Sequence, residues 1–187
     1  MTNEELWRLF PIKLTPHDTN WIDYYESEKE SIIKSIGPEK VVRINHIGST
    51  AVPGLIAKPT VDILLEIDEN ANLAAIKKNL EASGYIFSRQ PQKPPPHMMF
   101  MKGYTPEGFA GRVFHLHIRY FGDWDELYFR DYLVSHPKES KKYGDLKLLL
   151  KEKYEHDRDG YTEAKSGFIN ETVRKARQNS IADYSVK

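Results

Sequence analysis

The stretch NHIGSTAVPGLIAKPTVDI, residues 45–63, carries the most structural and chemical information in this sequence. Just upstream, 41–47 is rich in β-branched residues and reads as a short strand that stops at Gly48-Ser49-Thr50. Downstream, Val61, Ile63, Leu65 and Ile67 alternate with Asp62, Leu64 and Glu66, the period-two pattern of a strand with one mainly apolar face. A strand that ends in small residues lets backbone N–H groups and hydroxyls approach an anion closely. Asp62 then projects from the second strand, and Lys58 lies in the loop before it. A phosphate cradle, a cation and a carboxylate able to take a metal are what phosphoryl chemistry needs, because that chemistry runs on charge neutralisation and positioning. The plainer alternative is a turn, followed by a strand whose Asp accepts a hydrogen bond.

A second segment, FHLHIRY at 114–120, has the same kind of alternation. His115, His117 and Arg119 share one strand face, with the two histidine Cα atoms roughly 6–7 Å apart, so both imidazoles can reach one metal or one phosphate group. Phe114, Leu116, Ile118 and Tyr120 form the opposite face and anchor the strand in a core. The plainer alternative is a polar strand face lying under helices. The alternation is also similar to that of the histidine-triad hydrolases, but Arg119 stands where their third histidine belongs. A lone histidine such as His46, at the end of a strand, is more often structural. Trp7, Trp21 and Trp124 read as packing residues of the core or of a lid rather than as stacking platforms.

Working outward, 20–36 has an approximate apolar helix face and ends at Gly37-Pro38, with Asp18 or Thr19 as N-caps. Residues 70–83 form a second helix, and 85–88, 97–102 and 112–121 read as strands. The proline-rich 90–96 is a stiff connection between two of these strands. Asp123 and Glu126 have capping-box spacing before a helix over 127–134, Ser135 and Pro137 suit the start of the next helix, and a last helix covers 161–178. Strands and helices alternate first and helices follow. The class is therefore α/β or α+β, a mixed sheet flanked by helices with a helical C-terminal layer over about 123–180. A length of 187 residues fits one domain, 1–187.

Composition sets the outer bounds. Lys plus Arg and Asp plus Glu both number 27, which argues against a strongly basic nucleic-acid binder. There is no cysteine, so thiolate catalysis and Cys-ligated zinc are excluded. The N-terminus has acidic residues where a signal peptide would carry basic ones, and no apolar run is long enough to span a membrane, so a cytoplasmic location is expected.

His46, Gly48-Ser49-Thr50, Pro53-Gly54-Leu55, Lys58-Pro59 and Asp62-Ile63 together resemble the signature of the GrpB family. His115-Leu116-His117, the run from Phe129-Arg130-Asp131 to His136-Pro137, and Tyr161 with Lys165 and Phe168 extend that resemblance over most of the chain. It implies a nucleotidyltransferase-like fold in which a Gly-Ser turn holds a triphosphate and the next strand carries two metal-binding acids one residue apart. It also implies kinship with domains fused behind dephospho-CoA kinase in some bacteria. Gly48 and Ser49 match the Gly-Ser element and Asp62 matches the first acid, but the second acid position is Leu64. Glu66 shares a face with Asp62 yet lies roughly 13 Å further along an extended strand, too far to chelate the same ion.

The resemblance therefore implies phosphate contacts from Gly48, Ser49, Thr50, Lys58, Arg130 and Lys165. Asp62, His115 and His117 become the candidate catalytic and metal-binding residues. The expected cofactor is a divalent metal, Mn²⁺ or Mg²⁺ ahead of Zn²⁺, although one Asp with two imidazoles departs from the oxygen donors Mg²⁺ prefers. The expected partner is a nucleotide or another phosphorylated small molecule. Three readings stand: a metal-dependent nucleotidyltransferase, a binding module that kept the phosphate pocket without the metal pair, and, last, a structural or partner-binding protein.

Overall fold

The computed structural model describes residues 8–90, 92–94, 96–179 and 182–186, so Trp7 and two prolines of the stiff connection lie outside the described residues. The described elements are α1 (Asn20–Ile36), β1 (Val41–Ile47), β2 (Thr60–Ile67), α2 (Leu73–Ala82), β3 (Ile86–Ser88), β4 (Met98–Thr105), β5 (Gly108–Tyr120), α3 (Asp125–Ser135), α4 (Pro137–Tyr154), α5 (Arg158–Ala164) and α6 (Ser166–Asn179). Short 3₁₀ turns precede β1 and follow it. The strands form one mixed sheet in the order β1-β2-β5-β4-β3. Only the central β2–β5 pair is parallel; the other three pairings are antiparallel. This is the mixed sheet with flanking helices expected from the sequence.

The alternation in β2 and β5 separates two faces. Val61, Ile63, Leu65 and Ile67 join Phe114, Leu116 and Ile118 in the main core, closed by Trp21, Tyr25, Ile32 and Ile36 of α1 and Ile76 and Leu80 of α2. The opposite face carries Asp62, His115, His117 and Arg119 toward the C-terminal helices. Those helices have a core of their own, in which Phe129, Leu133, Tyr143 and Val173 pack on Val52 and Leu55 of the β1–β2 loop. The loop at 52–55 is thereby held between sheet and helices, which fixes the position of Ser49.

Several boundaries move for local reasons. Helix α2 starts at Leu73 rather than 70, because Asn72 caps it by accepting from the Ala75 N–H. The β4–β5 turn tightens to 105–108, so both strands run further than expected. The capping box at 123–126 is not formed. Trp124 is the N-cap, Asp123 instead binds Arg177 (2.6 Å), and Glu126 binds Arg119 (3.2 Å). His136, not Ser135, caps α4, with Pro137 in its first turn. The last helix is two: α5 ends at Ala164 and α6 begins at Ser166, with Lys165 at the junction.

Candidate functional site

A cleft of about 890 Å³ lies between the polar sheet face and helices α3–α6. Ser49, Asp62 and His117, from three separate segments, all line it, as do Gly48, Lys58, His115 and Lys165.

Gly48 shapes the floor. Its φ of +72° favours glycine, and a Cβ there would stand 2.7 Å from Asp62 Oδ2. Asp62 faces two imidazoles: its Oδ1 is 3.3 Å from His115 Nδ1 and 3.6 Å from His117 Nε2. Burial pushes this carboxyl up, but hydrogen bonds and electrostatic attraction from the facing imidazoles of His115 and His117 outweigh it and hold the group well below the usual carboxylate range. His115 is pushed down by burial, against the opposing pull of Asp62. On its far side, His115 Nε2 lies 2.7 Å from the Tyr104 hydroxyl, whose own pKa is raised by burial. An ionised Asp62 can only accept, so a neutral His115 facing it carries its proton on Nδ1, and Nε2 then accepts from the Tyr104 hydroxyl.

Tyr104 gave no signal in the sequence. It is aimed by a break in the β4–β5 register between Lys102 and Tyr104, where Gly103 has φ +87° and a Cβ would come within 2.4 Å of the Arg112 carbonyl. Such bulges re-aim side chains beside functional sites.

The cations enter from three elements. Lys147 of α4 is buried, and its ammonium donates to Ser49 Oγ (3.0 Å) and to the Ile56 carbonyl. Lys58 and Lys165 are partly buried, with their ammonium groups 5.8 Å and 4.4 Å from the centre of the Tyr161 ring. None of the three forms an ion pair among the described residues. Burial pushes Lys58 down to about 7, helped by Lys165 and Arg158. It pushes Lys147 down to about 7 as well, helped by Lys165 and Lys58. Lys165 falls to about 8, also mainly by burial. Lys147 and Arg158 were missed because Lys147 sits inside the leucine-rich run 146–150, which reads as an ordinary helix, and Arg158 sits in a charged run.

Two residues expected to contact phosphate spend their polar groups on the protein itself, Arg130 outside the cleft and Thr50 in its lining. Arg130 is outside the cleft: it donates to Asn45 Oδ1 (3.1 Å) and the His46 carbonyl (3.0 Å) and pairs with Asp131 (2.7 Å), so it ties α3 to the end of β1. Thr50 is buried with its hydroxyl turned inward, donating to the Thr60 carbonyl (3.2 Å) and bonded to His46 Nε2 (2.9 Å). His46 stacks on Tyr25, and burial pushes it down to about 4, so it is a structural residue.

The donors do not fit a two-metal carboxylate centre. Leu64 is fully buried with Ile47 and Leu127. Glu66 is fully buried too, gripped by Arg43 at 2.5 and 2.8 Å and by the Gly122 N–H at 3.1 Å. Both nitrogens of His115 are directed at partners, and among the described residues no cluster of His, Asp and Glu is arranged to hold a metal ion.

The family model for GrpB protein matches residues 11–175, nearly the whole chain. The chain belongs to the GrpB family. A UPF0157 protein of Pseudomonas aeruginosa is 35% identical over 166 residues, covering 88% of this chain and 67% of that protein. The glutamate-rich protein GrpB of Alkalihalophilus pseudofirmus is 34% identical, covering 87% and 94%. A crystal structure of the conserved protein GrpB from Enterococcus faecalis superposes with a TM-score of 0.77 at 27% identity, covering 89% of this chain and 98% of that one. A dephospho-CoA kinase of Mycolicibacterium paratuberculosis is 24% identical over 89% of this chain, which spans 46% of that protein. GrpB membership thus extends over the cleft and the helices that close it.

Proposed function

We propose that this GrpB protein binds a nucleotide or another phosphorylated small molecule in the cleft, with the phosphates gathered by Ser49, Lys58, Lys147 and Lys165. The observation that carries this reading is the convergence of three lysines, from the β1–β2 loop, α4 and the α5–α6 junction, on one cleft with no carboxylate partner among them. Desolvated ammonium groups beside one another are costly, and a multiply charged anion offsets that cost. Asp62 lies at the wall of the same cleft, where it would orient an incoming group rather than hold phosphate. The dephospho-CoA kinase relative adds CoA-like molecules to the ligands worth testing.

A thermal-shift series with tripolyphosphate, the nucleoside triphosphates, CoA and dephospho-CoA tests the proposal. A ligand at about 100 times its Kd should add roughly 2.7 kcal/mol, and the shift should shrink in Ser49→Ala and Lys165→Met. No shift from any of these anions would overturn the proposal.

A second reading, transfer of the bound phosphoryl or nucleotidyl group to an acceptor hydroxyl with release of the remaining phosphate chain, draws on Asp62, an ionised carboxylate that would orient the acceptor by taking a hydrogen bond from its hydroxyl. Product formation by the wild type that is lost in Asp62→Asn would favour it; ligand binding without turnover would favour the binding module.

A further inference from the structure

Four buried side-chain polar atoms lack a hydrogen-bond partner among the described residues, and three of them belong to residues lining the cleft: Tyr161 Oη, Arg119 Nε and His97 Nδ1. A buried donor or acceptor left unmet is costly, so such atoms mark places where something else completes the bonding. Tyr161 lies with the lysines. Arg119 and His97 mark a separate pole, because Arg119 is four residues beyond His115 on β5, roughly 13 Å along the strand.

This second pole differs in chemistry from the first. The Trp124 ring is fixed by its indole N–H, which donates to the Tyr120 carbonyl at 3.1 Å, and it packs beside Gly122, where a Cβ would come within 3.3 Å of the ring. His97 meets it edge-on, with ring centres 5.3 Å apart. The Arg119 guanidinium is 5.5 Å from the Trp124 ring centre and is also paired with Glu126 at 3.2 Å. An immobile aromatic surface beside a donor–acceptor pair is what recognises a planar heteroaromatic ring, since the faces stack and the edge is read by hydrogen bonds.

We infer that His97, Trp124, Arg119 and Glu126 form a subsite for a planar heteroaromatic ring carried by the phosphorylated ligand, such as a nucleobase. This rests on the phosphate reading above. The unmet Arg119 Nε–H would serve an acceptor on the ring edge, and the lysine pole would hold the other end of the same molecule.

The test is calorimetric and uses the whole chain. Tripolyphosphate, the free nucleosides and the four nucleoside triphosphates are titrated into wild type, Arg119→Gln and His97→Ala. At least one nucleoside triphosphate should bind about tenfold or more tightly than tripolyphosphate, the gain expected of one stacked base. In both variants that advantage should collapse while tripolyphosphate affinity stays put. Both side chains touch Trp124, which packs on the Leu64 cluster, so circular dichroism first establishes that each variant is folded. Equal binding of tripolyphosphate and every nucleotide, or variants that weaken both alike, would overturn the ring subsite and leave the phosphate site standing. Binding of none of them would overturn both.

Discussion

The hydroxyl of Tyr104 lies 2.7 Å from His115 Nε2, on the side of the ring away from Asp62. A phenol donating there favours the tautomer with its proton on Nδ1, toward Asp62, and so acts on Asp62 without touching it. Removing that bond in Tyr104→Phe should cost about 1 kcal/mol of stability. It should also release the tautomer, so that nitrogen NMR of His115 changes from one protonated Nδ1 to a mixture. An unchanged His115 spectrum would show that Tyr104 does not set the tautomer.

Gly48→Ala should be more harmful than its size suggests. A positive φ with ψ near 180° is a region essentially reserved for glycine and costs a residue with a β-carbon roughly 1–3 kcal/mol, and that carbon would press on Asp62 Oδ2 at 2.7 Å. The expected outcome is a lower denaturation midpoint together with anion affinity reduced by about tenfold or more. Wild-type stability and affinity in this variant would refute the tight packing of Gly48 on Asp62.

The lysines give two opposite pH dependences. Below about pH 7, Lys58 and Lys147 are charged in both the folded and unfolded chain, and the folded state bears their full desolvation cost. Above that point the folded protein has lost protons that the unfolded chain keeps up to its ordinary lysine value of 10.5. Stability of the ligand-free protein should therefore rise with pH across that window. Affinity for tripolyphosphate should fall over the same range, as the binding cations discharge. Urea melts and calorimetry at about pH 6 and about pH 9 check the two signs. Lys58→Met and Lys165→Met should flatten both slopes.

Restoring an acid at the second position should not create a metal site. Leu64 is fully buried against Ile47 and Leu127, so Leu64→Asp places an unpaired carboxylate in an apolar cluster at a cost of about 3 kcal/mol or more. A sharply lowered melting temperature that Mg²⁺ and Mn²⁺ do not recover is the expected result. Recovery by either ion would mean that β2 can still assemble the carboxylate pair.

What the sequence discloses follows the reach of each pattern. The alternation of Val61–Ile67 and of Phe114–Tyr120 is set by the residues themselves, so it predicted both strands and the polar face they share. Helix α1 and strand β1 were equally plain, bounded by Gly37-Pro38 and Gly48. Arg130 misled because a helix position does not say which element lies opposite, and its guanidinium is taken up by Asn45 and the His46 carbonyl. Lys147 was invisible for the converse reason, since only tertiary packing turns one lysine of a solvated-looking helix inward. Trp124, expected as packing alone, both covers Leu64 and faces the cleft.

The parallel pairing of β2 with β5 also bears on how the molecule assembles. Asp62 and His115 become partners only after roughly fifty residues of intervening chain, with α2 and two strands, have been closed into a loop, an entropic demand that local contacts do not repay. Lys147 and Lys165 come from further along the chain still, on helices that pack against Val52 and Leu55 of the β1–β2 loop. The proposed anion site therefore exists only once the long-range topology is complete, and occupancy by tripolyphosphate would report on the folding of the whole polypeptide rather than on one corner of it.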